Sequence, residues 1–281
     1  YLNIKSTVIF GGVNAKPQIA TLRSGVDILV ATPGRLLDLV DKKALDLKKL
    51  EVLVLDEADK MLNAGFREEL DVILAQAPTE RQTVLFSATL NEKMEEINDL
   101  LLDSPSVVKI ESGEDNIELI KQSAYKVSPE RKGPLLRYLI KHDQRKQVLV
   151  FASSGKSADG IVNKLRKNKV QAMAIHGQKS QGARNEALKQ FKSGALNVLV
   201  ATDLLARGID IEFLPCVINY ELPRSPKDYI HRIGRTGRAE NPGEAISLVT
   251  EEDLRHFKVI QKKMAKRVAL TYTDELDLHG F

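Results

Sequence analysis

The chain has 281 residues, 43% of them hydrophobic, a single cysteine and a formal net charge of +4. The length suggests about two domains, and the apolar fraction excludes wholesale disorder. Lone Cys216 excludes an intrachain disulfide and fits a cytoplasmic setting, while no apolar run approaches the ~20 residues of a membrane span and no signal peptide opens the chain, so no membrane partner is expected.

The net charge hides an asymmetry. Residues 1–119 carry 13 Lys+Arg and 21 Asp+Glu, a net of −8. Residues 120–281 carry 29 and 17, a net of +12. A basic half suits a polyanionic partner through counterion release, although excess lysine can also serve solubility alone.

Strand candidates follow in order at 7–10, 27–31, 52–55, 83–87 and 107–110, then 124–127, 147–151, 171–175, 197–201, 217–221 and 245–249. Several are almost wholly apolar, as expected for strands covered on both faces of a parallel sheet. Helix-period segments, among them 67–76, 157–167 and 184–191, lie between them. Alternating β and α gives an α/β class. The polar stretch 111–116 interrupts the alternation where the charge changes sign. This places a first domain at 1–111, a linker at 112–121 and a second domain at 122–267. Residues 251–267 read as a helix, and the tail 268–281 shows no periodicity.

Four segments could carry chemistry. The apolar run Val52–Leu55 ends in the carboxylates Asp56, Glu57 and Asp59. Ligands of open α/β sheets bind at the carboxyl ends of strands. A strand-end Asp there suits Mg2+, and an adjacent Glu can orient or deprotonate a water. The plainer reading is an acidic helix N-terminus. Ser87 and Thr89 also end an apolar run, where hydroxyls serve equally well as helix caps. In 201–210, Gly208 permits close backbone approach and Asp210 could accept from a ribose hydroxyl; a plain strand-to-helix turn is the alternative. In 231–238, Arg235 and Arg238 would leave the end of a helix together, beyond His231. Planar guanidinium groups suit phosphate and charge developing on a transferred phosphoryl group, against the alternative of a solvated basic helix.

Ser154-Gly155-Lys156-Ser157 is a decoy. A phosphate-cradling loop needs glycine five residues before its Gly-Lys, and that position is Val150, inside a strand.

The order of these motifs resembles the DEAD-box family of superfamily 2 RNA helicases, as a bacterial-type core. Further matches are Gly11-Gly12, Thr32-Pro33-Gly34-Arg35, Phe151 with Ser154, and His176-Gly177 with Gln181 and Arg184. The resemblance covers roughly residues 3–255. It implies two RecA-like parallel-sheet domains joined by a linker, with ATP and Mg2+ between them and RNA across both. By position, Asp56 would hold Mg2+ through water and Glu57 would activate the attacking water. Arg235 and Arg238 would be arginine fingers, and Gly208 and Asp210 would contact the nucleotide. Asp59, Ser87, Thr89 and His231 would couple the domains. Gly12, Thr32, Gly34 and Arg35 would grip RNA from the first domain, and Gln181, Arg184 and Thr202 from the second.

The family places a glutamine-containing adenine-reading motif and a Gly-Lys-Thr loop before the double glycine, and here Tyr1 lies only ten residues before Gly11. The expectation is a first domain that lacks both elements and some of its strands. The resemblance therefore implies an ATP-dependent RNA helicase acting as a monomer on single-stranded or duplex RNA. The alternatives are a nucleotide-independent RNA-binding fragment and, less in keeping with Asp59 and the Thr32–Arg35 element, a DNA helicase.

Overall fold

The computed structural model describes residues 3–58, 61, 65–87, 105–108, 120–141, 145–203, 214–237 and 243–281. The chain divides into two compact units, Tyr1–Ile110 and Glu111–Phe281.

In the first unit, β1 (Ser6–Ile9) pairs in parallel with β2 (Ile28–Ala31). The crossover is α1 (Ala15–Arg23), whose N-cap Asn14 accepts from the Lys16 N–H, and α2 (Pro33–Asp41) follows β2. A separate parallel pair joins β3 (Val52–Leu55) to β4 (Gln82–Leu85) through α3 (Arg67–Gln76). Each pair has its own small core, Ile9 with Leu22 and Leu39 in one and Leu55 with Leu70 in the other. These strands read as two-sided, yet their outward residues Val8, Val30, Val52 and Val54 are 47–57% exposed. Such strands stabilise a sheet only when apolar surface covers both faces. Native-state hydrogen exchange should therefore protect amides of β1–β4 on the order of 100-fold less than central strands of the second unit, because local opening there exposes little that was buried. Equal protection in the two units would refute this.

The second unit is one seven-stranded sheet in the order β11-β5-β10-β9-β6-β8-β7, with every described pairing parallel. The strands are β5 (Lys121–Lys126), β6 (Val148–Phe151), β7 (Ala172–Ile175), β8 (Val198–Ala201), β9 (Cys216–Asn219), β10 (Glu244–Val249) and β11 (Leu270–Tyr272). The helices are α4 (Lys132–Lys141), α5 (Gly155–Lys167), α6 (Gln181–Lys192), α7 (Pro226–Ile233) and α8 (Leu254–Lys263). Strand alternation sorts the core into two layers. Val148, Val150 and Ile218 meet α4 and α5, whereas Leu149, Phe151 and Val217 face the α6 side. Ala245 and Val249 pack with Tyr229 and Ile233 of α7 and Phe257 and Ile260 of α8. Cys216 is a buried core thiol. Strands β6 and β8 are buried at all four positions, as continuous apolar runs require, and β9 is equally buried with Asn219 its one polar member.

Three sequence expectations need correction. The linker span 112–121 runs into β5, which starts at Lys121; Gln122 and Ser123 look loop-like, but pairing with β10 recruits them into the sheet. The tail, set outside the second domain for want of periodicity, contributes a strand to it: β11 adds to the sheet edge beside β5, and Thr273 Oγ1 donates to the Lys126 carbonyl. Beyond it Leu276 and Leu278 pack on the core, and Phe281 meets the Tyr138 ring edge-on. Three strand residues are too few to leave a periodicity. Lastly, Val107 and Val108 belong to no strand and are 63% and 84% exposed. Among the described residues no strand pairs with them, and the rest of the expected strand, Lys109 and Ile110, lies outside the described residues. Among the described residues, no helix is long and apolar enough to cross a membrane.

Candidate functional site

The first unit gathers its candidate residues beyond strand carboxyl ends. Asp56 and Glu57 follow β3 and are both exposed. The backbone there is fixed from both sides: Phe86 N–H donates to the Leu55 carbonyl and Ala58 N–H to the Phe86 carbonyl. Glu57 adopts φ +50°, an uncommon conformation for a side chain of this size. Its N–H donates to Asp56 Oδ1 at 2.8 Å, which leaves Oδ2 of Asp56 open toward a ligand. A hydrated Mg2+ held also by phosphate oxygens asks for only one or two protein carboxylates, so this donor set fits it. Ser87 lies just past β4. Asp59 and Thr89 fall outside the described residues.

Gly12, at φ +77°, lies within the loop between β1 and α1, and Thr32 directly follows β2 at the N-cap position of α2, with Pro33 in the first turn. A Cβ at Gly12 or Gly34 would meet nothing within 4 Å, so both are open to an approaching ligand. Arg35 is spent largely on the protein. Its guanidinium donates to Gln18 Oε1 at 2.9 Å and the Val13 carbonyl at 2.8 Å, and Nε lies 3.7 Å from Asp38. It thus braces α2 against the double-glycine loop.

In the second unit, Thr202 follows β8 and donates its N–H to the Ile175 carbonyl. Gln181 opens α6, capped by Ser180. Arg184 donates to the Gly177 carbonyl at 2.6 Å and to Gln181 Oε1 at 3.4 Å. His231 lies in the last turn of α7, and Arg235 lies just past its end, where its N–H donates to the Arg232 carbonyl and its own carbonyl accepts from Leu214 N–H. Gly208, Asp210 and Arg238 fall outside the described residues. The Gly-Lys-Ser decoy is an ordinary helix start: Ser154 Oγ accepts from Ser157 N–H, and Ser157 Oγ donates to Glu221.

Sequence reading passed over Arg232, which is 2% exposed. Its Nε and Nη2 donate to both oxygens of Asp203 at 2.5 and 2.8 Å. Nη1 donates to Asn219 Oδ1 and the Glu221 carbonyl, and the guanidinium lies 4.8 Å from the centre of the Phe151 ring. The available signal was helical phase: Arg232 lies three residues after Tyr229, on the side of α7 that the buried Tyr229 occupies.

Comparison with known proteins supplies the family. The DEAD/DEAH box helicase family model matches residues 1–97, and the helicase conserved C-terminal domain model matches residues 131–240. The DEAD-box ATP-dependent RNA helicase CshA of Streptococcus pneumoniae is 40% identical over 265 residues, covering 94% of this chain and 51% of its own length. The ATP-dependent RNA helicase CshA of Listeria monocytogenes is 37% identical over 266 residues, covering 95% and 51%. The chain thus spans about half the length of these curated relatives. Among solved structures, a DEAD box protein from Methanococcus jannaschii is 35% identical, covers 96% of this chain and 72% of its own, and has a TM-score of 0.53. Dbp5 of S. cerevisiae bound to RNA and ADP BeF3 is 28% identical, covers 99% and 73%, and has a TM-score of 0.82. The parallel α/β fold and these relatives define a helicase core built of RecA-like α/β domains. The chain belongs to the DEAD-box RNA helicase family.

Proposed function

We propose that this chain is the core of an ATP-dependent RNA helicase, which uses ATP hydrolysis with Mg2+ to separate short RNA duplexes or remodel RNA–protein complexes. One observation carries the reading. Every candidate residue described after a β-strand sits at the carboxyl end of a parallel strand, where α/β sheets bind ligands. Asp56 would hold the hydrated Mg2+, which supplies charge neutralisation on the phosphates. Glu57 holds and deprotonates the attacking water, and Arg235 stabilises charge on the transferred phosphoryl group. Gly12, Thr32 and Gly34 of the first unit, with Gln181, Arg184 and Thr202 of the second, contact the sugar–phosphate backbone, so binding is largely independent of base sequence.

The test is binding of a labelled single-stranded RNA by residues 1–281, with and without a non-hydrolysable ATP analogue, alongside RNA-stimulated phosphate release. RNA affinity that rises with the analogue, together with RNA-stimulated turnover, is expected, because two ligands that favour one state strengthen each other. RNA affinity indifferent to nucleotide would replace this reading with a nucleotide-independent RNA-binding core, and absence of RNA binding would overturn both.

A further inference from the structure

We infer that His176, through its bond to Asp159, is a positioning residue that sets the second unit's RNA-contacting groups; the inference rests on the RNA-binding reading above. His176 directly follows β7 and is 3% exposed. Its Nε2 lies 3.1 Å from Asp159 Oδ2, and Lys179 Nζ lies 2.8 Å from Asp159 Oδ1. Lys179 first, then His176, holds the Asp159 carboxyl below its usual range. An ionised carboxylate accepts only, so Nε2 of the imidazole is the ring nitrogen that carries hydrogen toward it.

The other ring nitrogen shows that the residue is not simply core filling. Nδ1 is buried and has no hydrogen-bond partner among the described residues. It faces Gly155, where an added Cβ would stand 2.7 Å from Nδ1 and 2.9 Å from Gln178 Oε1. A buried acceptor without a donor costs stability, and a purely apolar side chain would avoid that cost. The polar ring is retained because its other edge ties Asp159, on the second turn of α5, to the turn after β7.

That turn leads directly to the proposed RNA contacts. Lys179 N–H donates to the His176 carbonyl, and Ser180 then caps α6. The Gly177 carbonyl accepts from Arg184, and Thr202 N–H donates to the carbonyl of Ile175, one residue before the histidine. Arg184 and Thr202 are thus each one bonded step from the His176 segment, and Gln181 is joined to it through Arg184. On the other side, the ring meets the first residue of α5. His176 therefore fixes the spacing of two helix N-termini, α5 and α6, whose dipoles favour phosphate. Gly155 is required because only a missing Cβ leaves room for the ring.

The experiment measures affinity of residues 1–281 for a labelled single-stranded RNA well below the melting temperature, and thermal melting in parallel. His176→Leu, which fills the volume but cannot bond Asp159, is expected to weaken RNA binding about tenfold. His176→Gln, whose amide nitrogen can reach Asp159, is expected to stay within about threefold of the unmodified chain. Gly155→Ala should weaken binding, and Gly155→Ala with His176→Ala should be no weaker than His176→Ala alone, since the clash is gone. RNA affinity unchanged in His176→Leu, even with a lowered melting temperature, would overturn the inference alone. So would additive effects of Gly155→Ala and His176→Ala. No RNA binding by the unmodified chain would overturn the RNA reading and this inference with it.

Discussion

Arg232→Ala is expected to lower the melting temperature of the second unit by on the order of 10 °C. The truncation leaves Asp203 without its bidentate cation and strips a donor from Asn219 and from the Glu221 carbonyl. Removing one partner of a buried ion pair costs about 3–5 kcal/mol, because the remaining charge keeps its desolvation penalty. The Asp203 side chain is 32% exposed, which screens part of that charge and puts the cost near the lower end, ~3 kcal/mol. For a domain of this size each kcal/mol moves the midpoint by roughly 2–4 °C. Asn219 compounds the loss, since it is fully buried and its amide also donates to Ser247, which Tyr229 of α7 contacts at 3.0 Å. Calorimetry on Arg232→Ala, Asp203→Ala and the double variant checks the point. A double variant markedly less destabilised than the two single effects combined is expected. A shift below about 2 °C in Arg232→Ala would show the pair to be marginal.

Arg235→Ala should reduce RNA-stimulated ATP turnover about 10³-fold while leaving the melting temperature almost unchanged, the size of effect known for arginines that stabilise a transferring phosphoryl group. The contrast with Arg232 is geometric. Arg232 points into the core, while Arg235, three residues on, lies past the helix end and is partly exposed. Its backbone is held by the Arg232 and Leu214 contacts, so loss of the side chain leaves the main chain in place. Arg235→Lys should recover little, since a point ammonium cannot reproduce a planar two-donor fork. The measurement is steady-state phosphate release at saturating RNA and ATP. Turnover within about fivefold of the unmodified chain would remove Arg235 from the chemistry.

Where the sequence was legible, the physics was local. Val148–Phe151 and Val198–Ala201 are apolar at every position, and only a strand covered on both faces needs that. Asp56 and Glu57 stood out because an abrupt run of carboxylates closes the apolar run Val52–Leu55, and the structure places both just beyond β3. What stayed hidden depended on distant partners. Nothing near Arg232 announces that Asp203, 29 residues earlier, will neutralise it. The pairing of Leu270–Tyr272 with β5 spans nearly 150 residues, and so does the Thr273 bond to Lys126. His176 reads as half of a two-residue motif, yet its significance lies in Asp159, on a neighbouring helix, and in the empty side of Gly155.

The valines that point outward from β1–β4 have a consequence for handling the protein. Val8, Val30, Val52 and Val54 make the first unit the adhesive end of the chain, and among the described residues each pair of strands has no further strand beside it. Surfaces of this kind recruit company of any sort, including further copies of themselves. Solution behaviour will accordingly be governed by the smaller, acidic unit rather than by the well-packed basic one: colloidal losses will set in at concentrations and temperatures at which the seven-stranded sheet is still intact, and conditions that shield apolar surface will raise recovery without raising the melting point of that sheet.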